Sequence, residues 1–350
     1  MPLSAPRATL TIARRWQNDS VIAEEVAAAF GLGEPVAAMT EAARGWGGHN
    51  IVYRLDTTDG RWAVKALLRE ADELIRERFD IELAAFDGGL RMPRPVRASG
   101  GSPYAELGGT RLRCYEWVDG VAKVNEETSV GESRLMGRLV AELHGMSLGY
   151  SPLLDEPLGP PDEPSWDWLA DAAGRQGASW AATLTERVTT LDRLSEQARK
   201  LGVQQRNMAQ IASHRDLNAH NVLFASSGLW LIDWDAAGPI YPGWERANYA
   251  CLWAGRPDGH YDLDAAVAFL DGYQDVGGVV TRDDPDTLEF LLDNVAGWTK
   301  KNVMWAITRP SVEQDRNVGY LIGALLATPS RIEQRRRLLH AAISRLRPVA

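Results

Sequence analysis

The chain is short of the features that mark secreted, membrane-spanning and nucleic-acid-binding proteins. Its 350 residues include two cysteines, Cys114 and Cys251, each in apolar surroundings. That count excludes a disulfide framework and a multi-cysteine metal site, and it fits a reducing compartment. No run approaches the roughly 18 consecutive apolar residues of a membrane helix. The stretch MPLSAPRATLTIARRWQ has no apolar segment of the kind a secretory signal needs. A cytoplasmic location is therefore expected. Positive charge is also in deficit: 38 Lys and Arg stand against 47 Asp and Glu, a net charge of −9. A phosphate-neutralising surface is not favoured by that balance, so neither a nucleic-acid nor a membrane partner is expected. Internal repeats and low-complexity tracts are missing as well. The basic run RIEQRRR ending at Arg337 is followed by Leu338, Leu339, Ile343 and Leu346 at helical spacing, which makes it a solvated helix face.

What remains is an ordinary globular composition, 45% hydrophobic and 24% charged, in a chain long enough for two lobes. Residues 17–32 read as a helix capped by Asn18, Asp19 or Ser20 and ended by Gly31-Leu32-Gly33. Asn50 to Leu55 and Arg61 to Leu67 are β-prone runs joined by Thr57-Thr58-Asp59-Gly60, a hairpin signature. An amphipathic helix follows, with Leu74, Ile75, Phe79, Leu83 and Phe86 on one face and Gly88-Gly89 closing it. Two more strands, Tyr104 to Leu107 and Thr110 to Trp117, lead to Val118-Asp119-Gly120, after which the pattern turns mainly helical. The segments 151–168 and 238–243 are rich in Pro, Gly or acidic residues and read as loops. The expectation is an α+β architecture of two domains, a β-rich one over 1–117 and a helical one over 118–350.

The densest chemistry lies between His214 and Asp235. Ser213-His214-Arg215-Asp216-Leu217-Asn218-Ala219-His220-Asn221 precedes two short apolar strands joined by Ser226-Ser227-Gly228, and Ile232-Asp233-Trp234-Asp235 follows them. The hairpin returns the end of its second strand beside the loop before its first, so Asp216, Asn221 and Asp233 can converge. Phosphoryl transfer uses such a set: a carboxylate to orient and deprotonate an attacking hydroxyl, and hard oxygen donors for Mg²⁺. Asp216 suits the first task. Asn221 and Asp233 suit the second, and His214 supports the loop.

The pattern H-x-D-x-x-x-x-N, followed twelve residues later by I-D-W-D, resembles the motif pair of the aminoglycoside phosphotransferase and choline kinase-like family. That family is related in fold to the protein kinases. The resemblance implies a bilobal kinase fold with a small β-rich N-lobe and a larger helical C-lobe, binding ATP (GTP being the alternative donor) and Mg²⁺. It implies Asp216 as catalytic base and Asn221 with Asp233 as metal ligands. Gly45-Trp46-Gly47-Gly48-His49-Asn50 looks like the family's nucleotide-covering loop, giving Gly47, Gly48 and Asn50 as cofactor contacts. Lys65 in Trp62-Ala63-Val64-Lys65 is similar to the lysine that pairs with the α- and β-phosphates. Seventeen residues on, Glu82 is similar to the glutamate that orients this lysine, with Glu77 as the competing choice. Cys114 to Gly120 falls where the family's hinge lies, so the Glu116 carbonyl and the Val118 amide are adenine contacts by position. One departure stands out: where many relatives carry an aspartate after the metal strand, this chain has Glu245.

Acceptor selection in the family lies outside these motifs. Asp155, Glu156, Asp162, Glu163 and Asp167, beside Trp166 and Trp168, could hold a cationic or ring-bearing alcohol, with Asp235 adjoining. The same residues equally describe a solvated acidic loop with core tryptophans. A second aromatic and basic cluster comprises Trp298, Lys300, Lys301, Asn302 and Trp305. The expected reaction is transfer of the γ-phosphate to a hydroxyl of a small molecule, an antibiotic of aminoglycoside, sugar or nucleoside type. A metabolic kinase for choline, homoserine or an amino sugar is the alternative, and an inactive nucleotide-binding module is the alternative from another class.

Overall fold

The computed structural model describes residues 20–44, 50–67, 72–154, 164–308 and 312–347, with the side chains of Ser20, Asp72 and 312–316 set aside. The chain divides into two compact units, one of Met1–Ala122 with Asn221–Ala237 and one of Lys123–His220 with Gly238–Ala350. Among the described residues, no helix is long and apolar enough to cross a membrane.

The first unit is a sheet with a helix on each face. Helix α1 (Ser20–Phe30) buries Ala23, Val26, Ala27 and Phe30 and stops at Gly31, whose φ of 64° is the left-handed conformation glycine tolerates. Strands β1 (Thr40–Arg44), β2 (Asn50–Thr57) and β3 (Gly60–Leu67) are followed by α2 (Asp72–Asp87), β4 (Pro95–Val96), β5 (Ala105–Leu107) and β6 (Thr110–Glu116). The sheet order is β1-β2-β3-β6-β4, with β5 also paired to β6. In β2 every second residue is buried, and Ile51, Tyr53 and Leu55 join Trp62, Val64, Leu112, Cys114 and α1 in one core. The opposite face carries Lys65 and Arg113, register partners on adjacent strands, and there α2 lays Phe79 and Glu82 against Arg113. Burial on both faces explains why β3 is apolar from Trp62 to Leu67 except for Lys65.

The hairpin of Val222–Ala225 and Gly228–Leu231 belongs to this unit through backbone bonds. Phe224 and Val121 exchange both of theirs, and the Leu231 amide donates to the Arg91 carbonyl at 3.0 Å.

The second unit is helical. Helix α3 (Val130–Gly145) opens with a capping box in which Ser129 and Glu132 satisfy each other's backbone amides. It is followed by α4 (Trp166–Gln176), α5 (Ala181–Arg206), α6 (Pro242–Leu252), α7 (Leu263–Asp275), α8 (Leu291–Thr308) and α9 (Val312–Arg345). Helices α3 and α7 approach closely because Gly137 faces the Phe269 carbonyl and Gly272 faces the Arg134 carbonyl. Two expected loops are corrected here. Residues 238–243 hold a strand, Gly238–Ile240, paired with Ile211–Ser213, and then the start of α6 with Pro242 in its first turn. Residues 164–168 lead into α4, whose cap is the Ser165 hydroxyl accepting from the Trp168 amide.

Candidate active site

Lys65 is a buried cation that the sheet geometry aims away from the apolar core. Its Nζ lies 2.6 Å from Asp233 Oδ1 and 2.6 Å from Asp235 Oδ2. Burial works against its charge, and the two carboxylates more than offset this, so its pKa stands above the usual lysine value. Asn50, at the first position of β2, donates from Nδ2 to Asp235 Oδ2 at 2.6 Å. Asp235 is thus committed to Lys65 and Asn50, and Asn50 reaches the cluster through it.

The expected pair of Lys65 with Glu82 is not formed. Glu82 is bonded to Arg113, each side chain 1% exposed. The reason is register: Lys65 and Arg113 stand side by side on β3 and β6, and the α2 face that carries Glu82 lies over Arg113, whose guanidinium also covers the Phe79 ring at 4.9 Å. Glu77, the competing choice, has no ion pair with Lys65 either: Lys65 is taken up by Asp233 and Asp235. Arg113 was not foreseen. Its signal was an Arg flanked by Leu112 and Cys114 in a strand whose neighbours are buried, a place where an unpaired cation does not survive. Arg113 also lies over the Tyr115 ring at 5.3 Å and has Nη1 3.8 Å from Asp235 Oδ1.

The hairpin brings Asn221 and Asp233 together. Val222 pairs with Leu231, and the Ile232 amide donates to the Asn221 carbonyl at 2.9 Å, so Asp233 follows the residue opposite Asn221. Asp233 adopts φ 67°, an uncommon conformation for a non-glycine residue and one met at functional turns. Its side chain is 40% exposed, open enough to take a ligand, whereas Asn221 is buried. A carboxylate and an amide are the hard donors that Mg²⁺ accepts, so the residues present fit that ion. Of the other cofactor positions, Gly47 and Gly48 lie outside the described residues. Glu116 ends β6 with its carboxylate on Arg94 at 2.8 Å, and Val118 is half-buried in the segment that follows.

Asp216 sits in the second unit, on the loop after the strand Ile211–Ser213. That loop is tied down almost residue by residue. The buried His214 accepts from the Asp216 amide at Nδ1 (3.3 Å). Arg215 has φ 66°; its amide donates to Glu245 Oε1 at 3.1 Å and its carbonyl accepts from the Tyr249 hydroxyl at 3.0 Å. Trp253 Nε1 donates to the Leu217 carbonyl at 2.9 Å. Asn218 donates to the Asp216 carboxylate, and Asn125 holds both the Asn218 side chain (3.2 Å) and the Ala219 amide (2.6 Å). Burial raises the Tyr249 pKa far above the usual value, with the Asp216 and Glu245 charges adding to it. Tyr249 is therefore a neutral donor, and the Asp216 carboxylate is presented with one oxygen already hydrogen-bonded.

The sequence-expected acceptor residues fall differently. Residues 155–163, with four of the five acidic positions, lie outside the described residues. Trp166 is buried, with its Nε1 bonded to Ser195 Oγ at 2.8 Å, whereas Trp168 is 47% exposed. On α8, Lys301 lies between Trp298 and Trp305, 5.8 and 4.8 Å from the two rings.

Comparison with known proteins follows the same lines. A family model described as "Phosphotransferase enzyme family" matches residues 40–291. A homoserine kinase of Methylobacterium radiotolerans is 26% identical over 239 residues, 66% of this chain and 69% of that one. Among solved structures, the chain is similar to the spectinomycin phosphotransferase APH(9)-Ia in complex with ADP and spectinomycin, with a TM-score of 0.66, 14% identity, and 90% of this chain and 98% of that one covered. An amicoumacin kinase in complex with AMP-PNP, Ca²⁺ and Ami gives a TM-score of 0.62 at 12% identity, over 90% and 95% of the two chains. At such identities the structural likeness is one of fold.

Proposed function

Because the chain belongs to the phosphotransferase enzyme family and is a small-molecule kinase with the α+β, protein-kinase-like fold of its neighbours, we propose that it transfers the γ-phosphate of ATP to a hydroxyl of an antibiotic of aminoglycoside, sugar or nucleoside type. The observation that carries the phosphotransfer reading is Lys65, a buried cation held between Asp233 and Asp235 at the end of the hairpin. A cation beside carboxylate oxygens is what a metal-bound triphosphate requires.

In this reading the Asp216 carboxylate accepts the proton of the acceptor hydroxyl as that oxygen bonds to the γ-phosphorus. The bond from the γ-phosphorus to the β,γ-bridging oxygen breaks, and ADP leaves with the electron pair. Lys65 holds the phosphate oxygens, and Arg113 with Glu82 supports the sheet beneath it. Asn221 and Asp233 would hold Mg²⁺, which, when bound, neutralises phosphate charge. The Asn218 bond to Asp216 fixes which carboxylate oxygen faces the hydroxyl. A cytoplasmic place of action supplies the nucleotide.

Support for the acceptor class comes from two antibiotic kinases among the similar folds. The homoserine kinase relative favours a second reading, a metabolic kinase acting on an amino alcohol. The deciding experiment is a screen of aminoglycoside, spectinomycin-like, nucleoside, choline and homoserine acceptors with ATP and with GTP, following nucleoside diphosphate release. Turnover of an antibiotic at a kcat/KM well above that of homoserine supports the first reading. The reverse ranking supports the second.

A further inference from the structure

The Glu245 carboxylate is wholly buried and used at both oxygens. Oε1 accepts the Arg215 amide at 3.1 Å, and Oε2 lies 2.8 Å from His144 Nε2. From His144 the contacts continue. Its Nδ1 lies 2.9 Å from the Tyr273 hydroxyl, which is 3.3 Å from Arg246 Nη1. Arg246 is held by Asp284, with Nε 2.8 Å from Oδ2, and Asp284 also accepts from the Thr281 hydroxyl at 2.7 Å. Every side chain from Glu245 to Asp284 is buried.

Donor and acceptor rules give this chain one direction. A carboxylate only accepts, so His144 Nε2 carries a hydrogen for Glu245; in the neutral imidazole Nδ1 is then the acceptor of the Tyr273 hydroxyl, whose oxygen accepts from Arg246. The other Glu245 oxygen accepts from the Arg215 amide. The chain ends at the residue before Asp216, and that residue is in a conformation that costs an L-amino acid about 1–2 kcal/mol. A buried polar chain of this length is expensive compared with apolar side chains of equal volume, and it confers fixed geometry in return. An aspartate at 245 would draw its carboxylate back by about one bond length, ~1.5 Å, and could not meet both partners where they stand.

We infer that His144, Tyr273 and Arg246 are positioning residues for the phosphoryl-transfer loop: they orient Glu245, which holds the Arg215 peptide and so sets the direction of the Asp216 carboxylate. The inference rests on the reading of Asp216 as the base. Tyr273→Phe removes one oxygen and keeps the ring, including its edge contact with His144 (centroids 5.6 Å apart) and its contact with Arg246 (5.0 Å). It breaks the chain at its middle. Glu245→Asp breaks it at the loop.

Two readouts are taken on each variant: kcat and nucleotide KM from ADP release with MgATP and the screened acceptors, and hydrogen exchange on the intact protein. The expected result is a kcat lowered about 10- to 100-fold, since a displacement of about 1 Å at a reacting group costs up to that much. Nucleotide KM should stay within about twofold, and exchange should be faster in the peptide spanning Arg215–Ala219 but not in the hairpin 222–231. Asp216→Asn is run in parallel. Should Asp216→Asn retain full turnover, the base assignment fails and exchange alone decides the tether. Should Asp216→Asn be inactive while Tyr273→Phe and Glu245→Asp keep wild-type kcat, the positioning role is overturned.

Discussion

Arg113→Met tests the charge cluster where structure and sequence expectation part. The substitution keeps most of the side-chain volume and removes the partner of Glu82, leaving a carboxylate 1% exposed opposite a thioether. Breaking a buried pair by removing one partner costs about 3–5 kcal/mol, and in a unit of this size that lowers the thermal midpoint by roughly 6–20 °C. Glu82→Gln removes the opposite charge and should cost a similar amount, because Arg113 is then left with the Asp235 carboxylate, 3.8 Å away. The double variant removes both charges together and should recover most of the loss, since a neutral pair of similar volume replaces the ion pair. Thermal unfolding of the four proteins gives a coupling energy, expected at about 2 kcal/mol or more. The same cycle run with Lys65→Met in place of Arg113→Met should give less than about 1 kcal/mol. Stronger coupling of Glu82 to Lys65 than to Arg113 would refute the pairing and restore the arrangement expected from the sequence.

Further outcomes follow from single contacts. Lys65→Met should weaken MgATP binding about 10- to 100-fold by calorimetry, the range for one charge-assisted contact. Because the Lys65 pKa is raised, its charge and ion pairs are complete below the ordinary value of 10.5 and are lost only as pH climbs through the raised one. Nucleotide affinity should therefore hold between about pH 8 and 10 as far as this residue decides it. Gly137→Ala places a Cβ against the Phe269 carbonyl. It should cost about 1–3 kcal/mol or more through displacement of α7, read as a lower unfolding midpoint. Burial pushes the Cys251 thiol up to about 12 and raises that of Cys114 as well. Iodoacetamide at pH 8 should label neither thiol in the native protein and both in urea.

Local elements were legible in the sequence because local rules decide them. Asp59-Gly60 marks the β2–β3 turn, Gly31 and Gly89 stop helices at positive φ, and the Ser-Ser-Gly turn joins the hairpin. The Asn221 and Asp233 pair was legible too, since antiparallel register places residues flanking a short hairpin together. What could not be read was pairing across the chain. Nothing near Glu82 says that its partner is Arg113, thirty-one residues away on a strand inserted beside β3. Pro239 and Pro242 suggested a loop, yet Pro239 is accommodated in an edge pairing and Pro242 starts a helix. His144 and Tyr273, single polar residues on apolar helix faces, look like core residues until Glu245 is seen to join them to the loop.

The central claim is that Asp216 removes the acceptor proton during phosphoryl transfer. The direct measurement is a single-turnover reaction of γ-labelled ATP with a turned-over acceptor, comparing the wild-type protein with Asp216→Asn. The account predicts that the transfer rate falls by about 10²- to 10⁴-fold, with MgATP affinity by calorimetry unchanged. Transfer at the wild-type rate by Asp216→Asn would contradict it.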